Sequence, residues 1–453
     1  MKQKFLLRLS TTQMILLSFL LTIFIGSLIL ALPVSSATGE AVPYIDALFT
    51  ATTSVCVTGL VTLPTYSTWS PLGQVIILIL IQFGGLGIVT IMTGVLLSFH
   101  RKIGMSGRYL LQDAFNLNSM SGIIRFIKKV LLGTFLVEGI GALLYMTVFV
   151  PEYGVRGIWI SVFNAVSAFC NAGMDVIGPD SLYGYASSPM ILLVTSALIV
   201  LGGIGFIVWW DVLAALKNIR IQGWKCFRKL TLHSKIALST TMLFLMAGAA
   251  AIFVFEYNNP LTMGAFSLDD KIYGALFQSV TTRTAGFAAV GQENLTNASA
   301  IVSLLLMFIG GSPVGTAGGV KTVTIAVLVI SAFATIRNKE EAEIFQRRIA
   351  KQAINKAVAV TSMSFIIMFI STVLLAAVTN ADALDIVYET VSATATVGLT
   401  RNLTSGLNLW GKLIIICTMY LGRVGPISLV IALNTKKESK NIIKNPMEEI
   451  SVG

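Results

Sequence analysis

Four short runs of small, hydroxylated and β-branched residues recur along the chain, and each run ends in a glycine. The four glycines, Gly59, Gly173, Gly286 and Gly398, follow one another at steps of 112 to 114 residues. Glycine permits the positive-φ turns that aim successive backbone carbonyls to one side. Four such loops around one axis would form rings of carbonyl oxygens, which can replace the water shell of a monovalent cation. The spacing therefore predicts a cation filter.

The predicted filter consists of each glycine and the two residues before it. Carbonyl oxygens without carboxylates suit K⁺ or Na⁺ better than Ca²⁺ or Mg²⁺, which favour carboxylate ligands. The filter residues are Val57, Thr58, Gly59, Asn171, Ala172, Gly173, Thr284, Ala285, Gly286, Thr396, Val397 and Gly398.

Helix packing is the alternative explanation, because small residues let helices approach closely in a membrane. A single loop would be ambiguous, but four loops in register favour a filter. Two further glycine groups, at residues 84–87 and 202–205, lie inside later apolar segments. We interpret that second set as packing residues.

The composition is that of a membrane protein. Of the 453 residues, 55% are hydrophobic and 12% charged, whereas soluble domains carry about 25% charged residues. The net charge of +11 does not indicate nucleic acid, because no basic run is interleaved with aromatic residues. The four cysteines are widely separated and predict neither a disulfide framework nor a zinc site.

The fixed period indicates one supersecondary unit that is repeated four times. Each unit begins with a long apolar helix, predicted at residues 14–32, 130–150, 236–255 and 358–378. A segment of roughly 12 residues follows, too short to cross a bilayer at 1.5 Å per residue; these segments are 43–54, 157–169, 269–281 and 382–394. A second long helix returns, at 74–99, 190–216, 301–336 and 409–433.

The predicted fold is an all-α polytopic membrane protein around a pseudo-fourfold pore. It has four tandem helix–pore-loop–helix repeats, with eight transmembrane helices and four re-entrant half-helices. The expected divisions are repeat 1 at 1–100, a linker with repeat 2 at 101–217, a linker with repeat 3 at 218–337, a linker with repeat 4 at 338–435, and a tail at 436–453.

The distribution of charge predicts the orientation. Most of the 32 Lys and Arg residues fall in the N-terminus, the linkers between repeats and the tail. The positive-inside rule therefore places both termini in the cytoplasm and the glycine loops toward the outside. Acidic residues predominate in the outer segments, and a mouth of that sign concentrates cations.

The third return helix must break, because no straight helix tolerates the five glycines and the proline of residues 310–321. We interpret this stretch as a movable gate across the pore, and a static kink is the alternative. The gate residues are Gly310, Gly311, Ser312, Pro313, Gly315, Thr316, Gly318, Gly319 and Lys321, together with Arg423 from the fourth repeat.

Two arginines lie near the predicted pore. A charge inside an apolar helix is costly unless it faces water or a partner, so Arg423 is assigned to the pore, where it would hold the gate. The alternative is a salt bridge with Glu138, the only deep acidic candidate. Arg283 is expected to brace the third loop through carbonyls or an acidic neighbour.

The loops and the break resemble those of the ion-conducting subunit of bacterial Ktr-type potassium uptake systems, in the Trk/Ktr/HKT superfamily. The resemblance covers nearly the whole chain. Its specific parts are residues 57–60, 169–173, 282–287, 394–399, the 310–321 break and Gly422-Arg423-Val424-Gly425-Pro426.

The resemblance implies channel-like K⁺ uptake in the bacterial plasma membrane, with K⁺ as the permeant ion and selectivity for K⁺ linked to Gly59. It also implies a homodimer in membrane lipid, a cytoplasmic RCK-type nucleotide-binding regulatory ring, and stimulation by Na⁺. ATP or ADP would bind that ring, because this chain has no G-x-G-x-x-G after a strand and is expected to bind no cofactor itself.

Two other functions are alternatives to a channel. A K⁺/Na⁺ symporter would place a coupled site where helices break near the membrane midplane. A membrane-embedded enzyme would need paired ionisable residues in the spans, where only Glu138, Lys321 and Arg423 are available, since His100 and His233 lie in linkers. We therefore expect no enzyme activity.

Overall fold

Helices make up most of the described chain. The computed structural model describes residues 10–98, 104–114, 122–179, 181–217 and 223–425. Within these ranges the only strands are Glu343–Ile344 and Arg347–Arg348, which pair as a small antiparallel hairpin.

Four long helices are apolar and long enough to cross a membrane. They coincide with the predicted first helices of the repeats, and each is a few residues longer or shifted. Their outward side chains are large and exposed, as lipid contact requires; Leu20, Phe24 and Ile25 are examples. The helices are α1 (Thr11–Leu30), α7 (Ile123–Tyr153), α11 (Leu232–Glu256) and α15 (Lys351–Val378).

Four shorter helices follow at the predicted half-helix positions. Each packs against the long helix before it, and its last turns are buried. Because the helix dipole leaves partial negative charge at the C-terminal end, these ends favour a cation. They are α2 (Tyr44–Cys56), α8 (Val155–Cys170), α12 (Leu268–Thr281) and α16 (Ala383–Ala395).

The return helices of repeats 1 and 2 are broken, and the prediction of straight helices at 74–99 and 190–216 was wrong. Helix α4 (Pro71–Leu86) meets α5 (Ile88–Ser98) at a bend of 100°. Helix α9 (Pro189–Gly203) meets α10 (Phe206–Lys217) at 101°. The bends occur at Gly87 and Gly205, whose φ angles of +83° and +95° no α-helix accommodates.

The third return helix is interrupted where the glycine-rich stretch predicts a break. Helix α13 (Asn297–Phe308) and helix α14 (Thr322–Ile336) flank a loop at 309–321. A parallel bridge between Ile309 and Val320 closes the base of this loop. We call residues 309–321 the crossing loop.

The fourth return helix, α17 (Leu409–Val424), ends at Gly425, which has φ +87°. Residues 426–433 of the predicted helix and the tail at 436–453 lie outside the described residues. The count of eight spans and the domain divisions stay predictions. The remaining helices are α3 (Thr65–Thr68) and α6 (Met105–Ala114), with 3-10 turns at Pro33–Ser35, Tyr183–Tyr185, Gly223–Lys229, Gln292–Asn294 and Thr404–Gly406.

Candidate ion pore and gate

The four glycine loops contact one another in a closed ring. Each filter glycine faces the carbonyl oxygen of the residue that precedes the filter glycine in the next repeat. The glycine of the fourth repeat faces the corresponding oxygen of the first repeat, which closes the ring. The contacts are Gly59 with Ala172, Gly173 with Ala285, Gly286 with Val397, and Gly398 with Thr58. A Cβ atom on Gly59 would lie 2.6 Å from the oxygen of Ala172, so no side chain fits between neighbouring loops.

Residues with positive φ alternate with residues of ordinary, negative φ along each loop. The residue two before each glycine has positive φ, between 52° and 65°, and so does the glycine itself, between 64° and 98°. The residue between them does not. In an extended strand, successive carbonyls point to opposite sides. Changing the sign of φ at every second residue turns the carbonyls to the same side. Coordination of an ion on the axis requires carbonyls that share one side. The residues two before the glycines are Val57, Asn171, Thr284 and Thr396.

A hydroxyl side chain in each half-helix ties its loop in place. The amide of Gly59 donates to Oγ1 of Thr53 at 2.9 Å, and that of Gly398 donates to Oγ of Ser392 at 3.0 Å. In the other two repeats the hydroxyl donates to the carbonyl just after the glycine, in the pairs Ser167 with Met174 (2.5 Å) and Thr281 with Phe287 (2.6 Å).

Sequence reasoning missed these hydroxyl residues. The signal is present, because three of them lie six residues before their glycine and the fourth lies five residues before it. In repeat 3 the half-helix ends at Thr281, five residues before its glycine, whereas the other three half-helices end three residues before theirs.

A buried carboxylate braces the fourth loop from behind. Glu389, in the middle of α16, accepts from the hydroxyls of Thr400 at 2.6 Å and Thr404 at 2.5 Å. Thr400 lies two residues beyond Gly398, so the carboxylate joins the half-helix to the chain that leaves the filter.

A cavity of about 140 Å³ opens on one side of the ring. All four filter glycines line it, together with residues that follow them in sequence. The predicted orientation would make this cavity the outer mouth of the predicted pore.

The crossing loop lies against the opposite side of the ring. The amide of Gly318 donates to Oγ1 of Thr284 at 3.2 Å. A Cβ atom on Gly318 would collide with Oγ1 of Thr396 and with the carbonyl of Ala395. Thr316 donates its hydroxyl to the carbonyl of Phe169, near the end of α8, at 2.9 Å. The loop thus touches the filter ends of repeats 2, 3 and 4.

The end of the broken helix α9 holds the crossing loop. The amides of Ser312 and Thr316 donate to the carbonyls of Gly203 at 2.8 Å and Gly202 at 3.1 Å. Beyond the bend, the amide of Phe206 donates to the carbonyl of Val314 at 2.9 Å. The helix break at Gly205 therefore supplies carbonyls and an amide that a continuous helix would use internally.

Within the loop, the predicted gate residues form a compact turn. Gly310 donates its amide to Val320, Gly311 accepts from the amide of Thr322, and Gly319 has φ +64°. Nζ of Lys321 donates to the carbonyls of Ala317 at 2.5 Å and Gly318 at 3.3 Å. The remaining predicted gate residues, Pro313 and Gly315, lie beside Gly205 and Gly202.

Arg423 reaches the crossing loop from the fourth repeat. Its Nη1 donates to the carbonyl of Thr316 at 2.7 Å, and its Nη2 donates to that of Gly84 at 2.5 Å. The alternative salt bridge with Glu138 is wrong, since that carboxylate instead accepts from Nε2 of Gln82 at 3.1 and 3.2 Å. The guanidinium is thus bound by one carbonyl of the crossing loop and by one at the glycine-rich end of α4.

Arg283 contacts the start of the same loop. Its Nη2 donates to the carbonyl of Gly310 at 3.2 Å, which agrees with the expected brace through carbonyls. Its Nε has no partner among the described residues and lies beside a cavity of about 10 Å³, which is room for one water.

The second set of glycines has two roles. Gly84 and Gly202 lie directly against the carbonyls of Val55 and Phe169, so the packing interpretation is confirmed for them. Gly422 packs in the same way against Thr394. Gly87 and Gly205 are instead the points of helix breakage described above.

Comparison with known proteins identifies the family of the chain. The family described as TrkH, a cation transport protein, matches residues 4–445. The potassium/sodium uptake protein NtpJ of Enterococcus hirae is 39% identical over 100% of this chain and 99% of that protein. The Ktr system potassium uptake protein B of Bacillus subtilis is 39% identical over 98% of this chain and 97% of that protein.

A solved structure shows the same fold. The crystal structure of the potassium transporter TrkH from Vibrio parahaemolyticus matches with a TM-score of 0.72 at 17% identity, over 93% of this chain and 84% of that chain. Because the family match and both relatives span almost the whole sequence, the chain belongs to the TrkH family of cation transport proteins.

Proposed function

We propose that the chain carries out channel-like K⁺ uptake across the bacterial plasma membrane. The observation that supports this most directly is the closed ring of four loops with alternating backbone hand. Such a ring offers carbonyl oxygens to an ion on its axis and leaves no room for side chains. The names of the two bacterial relatives, both potassium uptake proteins, agree with K⁺ as the ion.

The crossing loop is the gate in this proposal. It fills the space on the inner side of the ring, where an ion leaving the filter must pass. Its anchors are mostly single hydrogen bonds to carbonyls, each worth about 0.5–1.5 kcal/mol, and a loop held in this way can move. Arg423 and Arg283 stabilise the closed position.

The proposed assembly is a homodimer on a cytoplasmic RCK-type ring that binds ATP or ADP, with both termini in the cytoplasm. The Bacillus subtilis relative is described as part of a Ktr system, which supports a regulatory partner. Na⁺ is proposed as an activator.

A K⁺/Na⁺ symporter is the second candidate. The Enterococcus hirae relative is described as a potassium/sodium uptake protein, and broken helices of the kind found at Gly87 and Gly205 form coupled sites in transporters. Unitary conductance far above the turnover of a carrier would exclude symport.

The test is radiolabelled Rb⁺ flux into proteoliposomes, with Na⁺ as competitor, for the wild type and Gly59→Ser. The wild type is expected to take up Rb⁺, and the variant to reject Na⁺ less well, since a side chain at this position pushes against the carbonyl of Ala172. Gly39→Ser is the matched control, because Gly39 also has positive φ (+75°) but faces open space.

If Gly59→Ser folds and keeps wild-type selectivity, the ring is a packing feature and the ion path lies elsewhere. Equal loss of selectivity in Gly39→Ser would point to backbone strain rather than to the filter.

A further inference from the structure

The cavity outside the ring of glycines is uneven in charge. Among the described residues that line it, Asp175 is the one carboxylate. The other polar groups are neutral; Thr65, Gln292 and Asn402 are examples. A single negative side chain therefore lies in the space through which an ion approaches the filter.

The carboxylate occupies a position that is equivalent in all four repeats. Asp175 comes two residues after Gly173, and the residues two after the other glycines are Val61, Ala288 and Thr400. All four line the cavity. The position thus faces the same space in every repeat, but only the second repeat supplies a charge there.

Local hydrogen bonds fix the orientation of Asp175. The amide of Ile177 donates to its Oδ1 at 3.3 Å, and the hydroxyl of Ser181 and the amide of Gly178 also donate to the carboxylate. These neutral donors orient the group without cancelling its charge. By contrast, the outer carboxylates of Asp46 and Asp385 are neutralised in ion pairs with Lys412 and Arg401.

We infer that Asp175 and the neutral oxygens around it form an outer site for a partly hydrated monovalent cation, which the ion occupies before it enters the filter. The inference rests on the proposed uptake function. A carboxylate at about 4 Å raises the local concentration of a monovalent cation in water roughly fivefold. The site would therefore set the apparent affinity for external K⁺ rather than the maximal rate.

The test is the initial rate of Rb⁺ uptake, measured against external Rb⁺ in bacterial cells that lack their own K⁺ uptake systems, so that the outer face is exposed. Asp175→Asn keeps the side-chain size and the oxygen that accepts from Ile177. We expect its half-saturating concentration to rise about fivefold, with the maximal rate unchanged. Glu40→Gln removes an exposed outer carboxylate that does not line the cavity and should leave both parameters unchanged.

The charge is then moved to another repeat. Val61→Asp, added to Asp175→Asn, places a carboxylate at the equivalent position of repeat 1 and should restore the wild-type half-saturating concentration. If Asp175→Asn does not reach the membrane, Val61→Asp alone serves, and it should lower the half-saturating concentration below that of the wild type.

An unchanged half-saturating concentration in Asp175→Asn would overturn the inference and leave Asp175 with a purely local role in its turn. Failure of Val61→Asp to change affinity in either background would overturn it as well. Absence of Rb⁺ uptake by the wild type would instead contradict the proposed function itself.

Discussion

Nη1 of Arg423 donates a hydrogen bond to the carbonyl oxygen of Thr316, 2.7 Å away, so a side chain of the fourth repeat holds the loop of the third. The same guanidinium contacts the carbonyls of Gly84 and Gly85 in the first repeat. Parts of three repeats therefore meet at one arginine.

Arg423→Ala should open the closed pore. A hydrogen bond from a charged donor contributes about 1.5–3 kcal/mol, so its loss is expected to raise basal Rb⁺ flux at least tenfold in proteoliposomes without a regulatory partner. Arg423→Lys separates two explanations, because it keeps the charge but replaces the planar fork of two Nη atoms with a single nitrogen on a shorter side chain. If Arg423 closes the pore by hydrogen-bonding the crossing loop, both variants should show a raised basal flux. If its positive charge closes the pore by repelling cations, only the alanine variant should.

Thr284→Val should weaken the closed gate from the filter side. The substitution leaves the buried amide of Gly318 without its acceptor, which costs about 1–3 kcal/mol, and the basal flux of Rb⁺ should rise on the order of tenfold. Thr396→Val is the matched control, since Oγ1 of Thr396 has no hydrogen-bond partner among the described residues. Equal basal flux in the two variants would show that the amide of Gly318 does not stabilise the closed loop.

Glu389→Ala should destabilise the protein and loosen the fourth loop. The hydroxyls of Thr404, which is buried, and of Thr400, which is partly buried, lose their acceptor. The combined cost is about 2–4 kcal/mol. We expect a lower unfolding temperature in detergent and weaker discrimination of K⁺ from Na⁺. Glu40→Ala, at an exposed position, should change neither. Normal selectivity in a destabilised Glu389→Ala would confine the carboxylate to a structural role.

Uptake at low external K⁺ should fall as the external pH is lowered. Removal from bulk water raises the pKa of Asp175 to about 6, although hydrogen bonds from Ser181, Ile177 and Gly178 partly offset the shift. The carboxylate is charged above that pH and neutral below it, so attraction for cations is lost between about pH 7 and 5. Tyr183 is the other titratable side chain among the described residues that line the cavity.

The measurement is Rb⁺ uptake at subsaturating external concentration, with the internal pH held constant. The wild type should lose activity with a midpoint near pH 6, and Asp175→Asn should show a flat profile at the lower rate. A midpoint that persists in Asp175→Asn would assign the titration to a different group.

The glycine period made the ring predictable from the sequence. The glycine supplies one positive-φ residue of each loop without steric cost. The positive φ of Val57, Thr284 and Thr396 is costly for β-branched residues, so the surrounding structure must hold it. The interruption at residues 310–321 was also predictable, since its glycines and proline exclude a helix in any surroundings.

The bends at Gly87 and Gly205 were not predictable in this way. An apolar segment has the same hydropathy whether it is straight or bent, and a glycine inside it is compatible with both. What decides the conformation is tertiary contact: the crossing loop takes up the carbonyls of Gly202 and Gly203, which compensates for the helical bonds lost at the break.

The hydrogen-bond acceptors of Arg423 could not be predicted from the sequence either. In a sequence, acidic residues are the recognisable partners of a buried arginine, and Glu138 is the only deep acidic candidate. The actual acceptors are backbone carbonyls, such as that of Gly84. Every residue has a backbone carbonyl, so the residue type does not show which one accepts the hydrogen bond.

Three return helices end at a glycine of nearly the same φ, at Gly87, Gly205 and Gly425. Among the described residues, only the third return helix is interrupted by a long loop, at 309–321. In the proposed mechanism, a pore built from four repeats is thus closed by the movement of a single segment, the crossing loop. Its opening follows a single two-state equilibrium, without cooperativity among the repeats. A tenfold change in open probability from the closed state then needs only about 1.4 kcal/mol of regulatory free energy, which one contact with a cytoplasmic partner can supply.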